Sequence, residues 1–285
     1  MRVILTLGGG ALSTTSCITP KAASSRRRIE RRGVSLVEIL IAIGIIGLLI
    51  GILVPMLGRA RGQTLEVVSL SNAREVVKTM HAHASANSDR FPFPPREERE
   101  DPGVWFGPII WTPDGELTDA TGTHFYGNES YIFMSEYWPA FVRDVAPWTE
   151  HYQTWLSPGH PALADKNDTR PLWARGSSIN AVSYHYSLAF MVSPRLLEEN
   201  APTDWSLIQP TRSSMVAYPA SKVIAFDADR SYLARGKGDS SKWPTGFTDG
   251  SASLRDRSQA MTIRNPLAGG GPYHDTPGGV TGRDF

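Results

Sequence analysis

The sequence predicts an α+β protein in which a long N-terminal membrane-anchored α-helix packs on a small antiparallel β-sheet carrying a loop-rich insertion. Three observations predict it. From Ile39 to Val54 sixteen consecutive residues lack a polar side chain. Beyond them Leu65, Val68, Asn72, Val76 and Met80 recur at three- and four-residue steps, the period of a helix with one packed face. In the C-terminal half, short runs rich in aromatic and β-branched residues end in turn signals, the pattern of strands.

The apolar segment, 34–57, has 24 residues and would be about 36 Å long as a helix, enough to cross a bilayer core of ~30 Å. The buried helix of a soluble protein rarely runs so far without a polar face. Charge sets the orientation. The first 33 residues hold seven Lys/Arg against the single acid Glu30, so a chain of net charge +1 divides into a leader of +6 and a remainder of −5. Arg26, Arg27, Arg28, Arg31 and Arg32 crowd the N-terminal flank, whereas only Arg59 and Arg61 follow the other end. The positive-inside rule places the N-terminus in the cytoplasm and everything after Leu57 outside. A secretory signal peptide would have a shorter apolar core followed by a small-residue cleavage site, and Pro55-Met56-Leu57-Gly58-Arg59 is a poor one. The only cysteine, Cys17, lies in the leader, so its removal would leave no thiol for a disulfide or a thiolate metal site. The near-neutral total gives no basic field for nucleic acid, and none is expected as a partner.

One acid, Glu38, stands at the head of the apolar run, and a carboxylate there is costly unless it has a function. Gly33 closes the arginine cluster, Val34-Ser35-Leu36-Val37-Glu38 follows it, and Pro55 falls 22 positions after Gly33. This arrangement resembles the processing signal of type IV pilins and type II secretion pseudopilins, a basic leader ending in Gly before F-T-L-[IV]-E and a long apolar helix. Here Val34 and Ser35 replace the commoner Phe and Thr. The stretch Ser69–Pro95 is similar to the L-S-N-L-R…[FY]-P-P segment of a pseudopilin-like subgroup. Ala220–Asp227 resembles that subgroup's P-S-K-x-x-x-F-x-D strand, and Phe247–Arg255 its terminal "H-x9-DG" element, with Asp239 where the histidine would stand.

The resemblance implies a pilin-like fold and a structural, non-enzymatic role. A prepilin peptidase would cut between Gly33 and Val34 and methylate the new Val34 amine. The retained helix would keep the chain in the bacterial inner membrane, single-pass, with the body periplasmic. Glu38 of one subunit would pair with the Val34 amine of a neighbour during assembly with other pilin or pseudopilin subunits into a pseudopilus or pilus-like filament. Gly47 and Gly51, a G-x-x-x-G, suit close helix packing. Pro55, lacking an N–H, should kink or locally unwind the helix.

The expected organisation is a cleaved basic leader (1–33), a transmembrane helix (34–57), its amphipathic continuation (58–86), an extracytoplasmic globular domain (87–265) and a flexible Gly/Pro-rich tail (266–285). The helix is expected over Leu36–Ser85, ending at Asn87-Ser88-Asp89 before the prolines. Tyr131–Met134 and Phe141–Val145 read as short strands, and Tyr184–Val192, Met215–Tyr218 and Lys222–Phe226 as better ones. Asp249-Gly250 signals a hairpin joining Thr245–Thr248 to Ser251–Arg255. Trp105, Trp111, Trp138, Trp148, Trp155 and Trp173 crowd residues 96–175, either as the core of an insert or as a carbohydrate- or partner-binding surface. The latter would suit a singly anchored periplasmic enzyme or binding module, the alternative function, or an adhesin on a pilin stalk.

No nucleophile elbow, zincin helix, P-loop or dinucleotide fingerprint occurs in its required context. His81 and His83, two apart, point to different helix faces and do not read as a metal pair. No cofactor is expected. Asp227, Asp229 and Asp249 are weak calcium candidates should the strand ends bring them together, and turn-capping is the plainer role for them.

Overall fold

The computed structural model of the chain describes residues 35–93, 96–97, 105–106, 125–126, 128–164, 182–201, 204–233, 241–264 and 271–285. The leader, Gly33, Val34, Trp111, Trp173, Asp239 and the side chain of Trp105 lie outside what it describes. The chain divides into two compact units, Met1–Ile52 and Leu53–Phe285.

In the first unit the described residues form the start of helix α1, which runs Leu36–Ala86. Its N-terminal part is long and apolar enough to cross a membrane, and no residue of its most apolar stretch is buried among the described residues. Every large apolar side chain along the run, from Leu36 (78% exposed) to Leu57 (67%), stands open. The helix is continuous through Pro55. The expected local unwinding is not seen. Proline removes only one N–H from the ladder, the one that would bond Gly51, and the turns on either side carry the helix across.

In the second unit the same helix acquires a packed face made by Ser69, Ala73, Val76, Val77, Thr79, Met80 and Ala84. This face is rotated from the one its apolar residues predict. Val68 is 41% exposed, and the small polar Ser69 beside it is fully buried. The helix ends where expected. The Asp89 amide reaches back to the Ala84 carbonyl at 2.8 Å. Ser88 and Asp89 both take left-handed backbone, φ 56° and 66°, the closing geometry of a Schellman-type cap. The Asp89 carboxylate then accepts from the Ser213 hydroxyl and, at 3.1 Å, from the Ser214 amide.

The main sheet has four antiparallel strands in chain order: β4 Tyr184–Tyr186, β5 Val223–Asp227, β6 Lys242–Phe247 and β7 Ala252–Asp256. A smaller antiparallel sheet joins β1 Arg96–Glu97, β2 Trp105–Phe106 and β3 Phe125–Tyr126. The Asp249-Gly250 hairpin forms as expected, with Gly250 at φ 88°. β5 also falls where the apolar run Lys222–Phe226 placed it.

Other local expectations are corrected. Tyr131–Met134 belongs to helix α2, Asn128–Phe141, and Phe141–Val145 is the end of that helix and a turn. Four apolar residues cannot distinguish the two periods. Burial does not distinguish them either, since from Met134 to Val142 every residue but Tyr137 is buried. Tyr184–Val192 is extended only to Tyr186. Beyond Ser187, whose amide makes the last bond to β5 at Ile224 O (2.9 Å), the chain turns into a single 3-10 turn, Leu188–Phe190. Met215–Tyr218 is not a strand, because Ser213 is pinned to Asp89 and the chain turns there.

The tail is also corrected. Across 271–285, Tyr273, Thr276, Val280 and Asp284 are all fully buried. Its glycines serve tight turns: Gly271, Gly278 and Gly279 hold positive φ, and the Gly278 amide bonds Leu197 O at 2.7 Å. Composition that reads as mobility here encodes a strap.

Three of the insert tryptophans form core. Trp138, Trp148 and Trp155 are 0%, 1% and 0% exposed, and Trp138 meets Trp155 edge-on at 4.8 Å. The Trp138 indole N–H donates to Tyr184 O at 2.8 Å, joining α2 to the sheet. Helix α3, Trp148–Trp155, supplies the other two rings.

In the second unit α1 and β6 approach each other closely. A Cβ added at Gly246 would fall 2.6 Å from Val77 Cγ2 and 3.1 Å from Ala73 O. Glycine is required here by backbone proximity rather than by φ. Gly246→Ala should therefore destabilise the protein by about 1–3 kcal/mol, the usual range for overpacking a fitted core. Thermal or urea denaturation of the detergent-solubilised chain checks this, and an unchanged midpoint would show that the helix can move away freely.

Candidate functional site

The residues to which the sequence assigns function lie at the head and along the exposed half of α1. Ser35 is the N-cap. The Glu38 amide bonds the Ser35 hydroxyl at 3.2 Å, and the Ser35 amide bonds Glu38 Oε2 at 2.7 Å. This reciprocal pair is a capping box, which satisfies two of the donors that a helix N-terminus leaves open. The S-x-x-E spacing was available in the sequence as a capping signal. It gives Glu38 a local task beside any task toward a neighbour, and it engages one carboxylate oxygen, Oε2.

Gly47 and Gly51 have nothing within 4 Å of where a side chain would begin, and the same holds for Gly44, Gly58 and Gly62. Their three-, four- and seven-residue spacing keeps all five on one helical face. Pro55 lies within that helix.

The three aspartates offered as calcium candidates are not brought together. β5 and β6 are antiparallel, so the hairpin tip lies at the beginning of β5, where the Thr248 amide bonds Lys222 O at 2.9 Å. Asp249 is therefore at the opposite end of β5 from Asp227, and its Oδ1 accepts from the Ser251 amide at 2.9 Å, a turn-capping bond. Among the described residues no group of three His, Cys, Asp or Glu side chains is arranged to hold a metal ion.

Asp227 is instead the centre of a buried polar cluster. Its Oδ2 accepts from Ser69 Oγ on α1 at 2.7 Å and from Ser157 Oγ, just past α3, at 2.8 Å. Its Oδ1 accepts from the Arg230 amide at 2.8 Å. Tyr184 on β4 closes the group, its hydroxyl 2.8 Å from Ser69 Oγ. Burial pushes the Asp227 carboxyl up to about 6, with its hydrogen bonds opposing that rise. Asp229 belongs to the adjoining turn, where Oδ2 accepts from Ser183 Oγ at 3.1 Å and from the Ser231 hydroxyl. No sequence signal marks Ser69, Ser157 or Tyr184 as partners of Asp227, which they meet only through the tertiary fold.

A second buried polar pair was equally hidden. Glu136 on α2 places Oε1 3.7 Å from His185 Nε2 on β4. Both groups are driven toward their neutral forms. Burial pushes Glu136 up to about 7, and burial, with a smaller contribution from the Arg257 charge, pushes His185 down to about 4. Between those values both are uncharged, so the pair is a neutral contact rather than a salt bridge. His81, considered with His83 for metal, has another role: its Nε2 lies 2.7 Å from Thr248 O and holds the base of the hairpin.

Comparison with family models, curated proteins and solved structures finds no match for the chain. The class that the geometry defines is therefore coarse: an α+β body bearing an N-terminal helix that is long and apolar enough to span a membrane.

Glu136 offers a pH test. Its ordinary value is 4.5 and its folded value about 7. The folded state thus holds a proton that the unfolded state gives up between those limits, and stability falls as pH rises through the window. Glu136→Gln removes that slope. Its stability relative to wild type should be constant below pH 4.5, rise between pH 4.5 and about 7 and level off above that, by about 3 kcal/mol as an upper bound. Denaturation midpoints of both proteins across pH 4–8 would check this; a constant difference would show that Glu136 titrates normally.

Proposed function

We propose that this chain is a pseudopilin-like structural subunit, processed after Gly33 and assembled through α1 into a type II secretion pseudopilus or type IV pilus-like filament. The observation that carries the reading is the head of α1: a single acid, Glu38, followed by apolar side chains that stand exposed among the described residues. Such a surface suits lipid, or the same surface on other subunits. The resemblance of Arg31-Arg32-Gly33-Val34-Ser35-Leu36-Val37-Glu38 to a prepilin signal supports the second use.

In this reading a prepilin peptidase frees the Val34 amine on the cytoplasmic side of the inner membrane and methylates it. The Glu38 carboxylate bonds its own helix terminus through Oε2, and its remaining oxygen faces the Val34 cation of a neighbouring subunit. A charge left without that partner in an apolar bundle is strongly unfavourable, so the pairing selects axial register. The glycine face, Gly44 through Gly62, lets a neighbouring helix approach closely. The body is periplasmic and acts mechanically rather than catalytically. The burial of Trp138, Trp148 and Trp155 weighs against a tryptophan-lined carbohydrate platform built from those three rings.

Glutamine at the third helical position still completes a capping box but carries no charge. Glu38→Gln should therefore leave helix content and processing unchanged, with a mature peptide beginning at methylated Val34, and should reduce incorporation into filaments at least tenfold by pull-down against wild-type subunits. Mass spectrometry of membranes that finds the arginine-rich leader still attached to the wild-type chain would overturn the proposal. So would wild-type incorporation of the variant.

A further inference from the structure

Lys222 is a completely buried lysine, and the function above does not use it. It immediately precedes β5. Its Nζ lies 2.6 Å from Thr276 Oγ1 and 3.4 Å from Asp284 Oδ2, and all three residues are fully buried. The Thr276 hydroxyl donates in turn to Asp284 Oδ1, and the Val223 amide donates to Asp284 Oδ2 at 2.7 Å. The Phe190 ring stands 5.7 Å from the amine. The aspartate is held in place by its own backbone, Asp284 N to Ser221 O at 2.9 Å and Met261 N to Asp284 O at 2.8 Å.

This is more than an ion pair closing a strap. A lysine removed from water favours its neutral, nucleophilic form, and burial lowers its proton affinity here, with the Asp284 charge opposing that. The carboxylate has two different oxygens: Oδ1 faces a hydroxyl that also touches the amine, and Oδ2 faces a fixed backbone N–H. The first is placed to receive a proton and leave. The second is placed to carry transient negative charge, as an oxyanion donor requires. Reactants held this closely among fully buried side chains gain the advantage of an intramolecular reaction.

We propose that Lys222 and Asp284 form an intramolecular isopeptide bond that staples the C-terminal strap to the sheet. One ammonium proton passes through the Thr276 hydroxyl to Asp284 Oδ1, leaving an amine and a carboxylic acid. The Nζ lone pair attacks Cγ, and the new C–N bond places negative charge on Oδ2, facing the Val223 amide. The nitrogen gives a second proton to the Oδ1 hydroxyl, the Cγ–Oδ1 bond breaks, and water departs as the Oδ2 carbonyl re-forms. The product is a secondary amide with one proton on nitrogen, and the step needs no oxidant or cofactor. With its leader removed the chain would have no cysteine, so this bond would be a covalent tie available to an extracytoplasmic body without disulfides.

Peptide mapping of the full-length protein, extracted in detergent and denatured, tests this independently of leader processing. Trypsin cannot cut after a lysine whose amine is acylated. The bond therefore predicts a branched peptide, Ser213–Arg230 with Asp284-Phe285 attached through Lys222, lighter than the sum of its parts by one water, about 18 Da. It should vanish in Lys222→Met and in Asp284→Ala, and be at least tenfold reduced in Thr276→Val. Recovery from the wild-type chain of Ser213–Lys222, Val223–Arg230 and free Asp284-Phe285 in full yield would overturn the proposal and leave an ordinary buried ion pair, whether or not the variants fold.

Discussion

The body is organised around a carboxylate that has been taken out of water. Asp227 ends β5 with no exposure, and four separate segments supply it a donor or a neighbour: α1 through Ser69, the segment after α3 through Ser157, β4 through Tyr184, and the following turn through the Arg230 amide. A buried carboxylate is tolerated only while such donors are present, and each lost donor exposes a desolvation cost of about 1–3 kcal/mol. The cluster is therefore a positional constraint more than a source of affinity. Hydrophobic contacts along Ala73, Val76, Val77 and Met80 would permit the helix to slide or rotate by a fraction of a turn. The Ser69–Asp227 bond, together with the glycine-sized gap at Gly246, fixes one register.

That constraint explains which parts of the fold could be read from sequence. The extent of α1 was legible because sixteen apolar residues and then a three/four period are local signals, and its end was legible from Asn87-Ser88-Asp89 and the prolines beyond. The packed face was not. A hydrophobic pattern favours Val68 and passes over Ser69, yet Ser69 is buried because its partner lies 158 residues away. The hairpin at Asp249-Gly250 was legible, since a left-handed turn residue declares itself. Helix α2 was not, because its apolar run is too short to show a period. The strap was read with the wrong sign, because glycine and proline mark a chain that turns sharply as well as one that does not settle. Glu38 was seen for its unusual setting, whereas its capping box with Ser35, a plainer signal three residues wide, was overlooked.

The buried polar groups of the second unit fall into three kinds with different physical consequences. Asp227 is a hydrogen-bonded carboxylate whose donors hold it in place. Glu136 and His185 form a contact that burial keeps neutral, so its contribution depends on pH and not on salt. Lys222 and Asp284 are an amine and a carboxyl group joined through the Thr276 hydroxyl and fully buried. Each of the three joins elements distant in sequence: α1 to β5, α2 to β4, and the C-terminus to the start of β5. Such polar placement specifies a unique arrangement at some cost in stability relative to an apolar core.

A subunit that bears load along its helix has a particular need for such specificity. Force delivered through α1 would reach the sheet by way of Ala73, Val77 and Gly246 and by way of Ser69 and Asp227. It would next reach β5, whose other end is where the strap is tied at Lys222. A strand anchored at both ends resists being drawn out of a sheet, because its backbone bonds must then break together rather than one after another. Antiparallel order places β5 inside the sheet, between β4 and β6, with no free edge of its own. The helix anchor at Asp227 and the strap anchor at Lys222 thus bracket β5 from its two ends, and in the proposed filament that bracket, more than the size of the core, would carry the load.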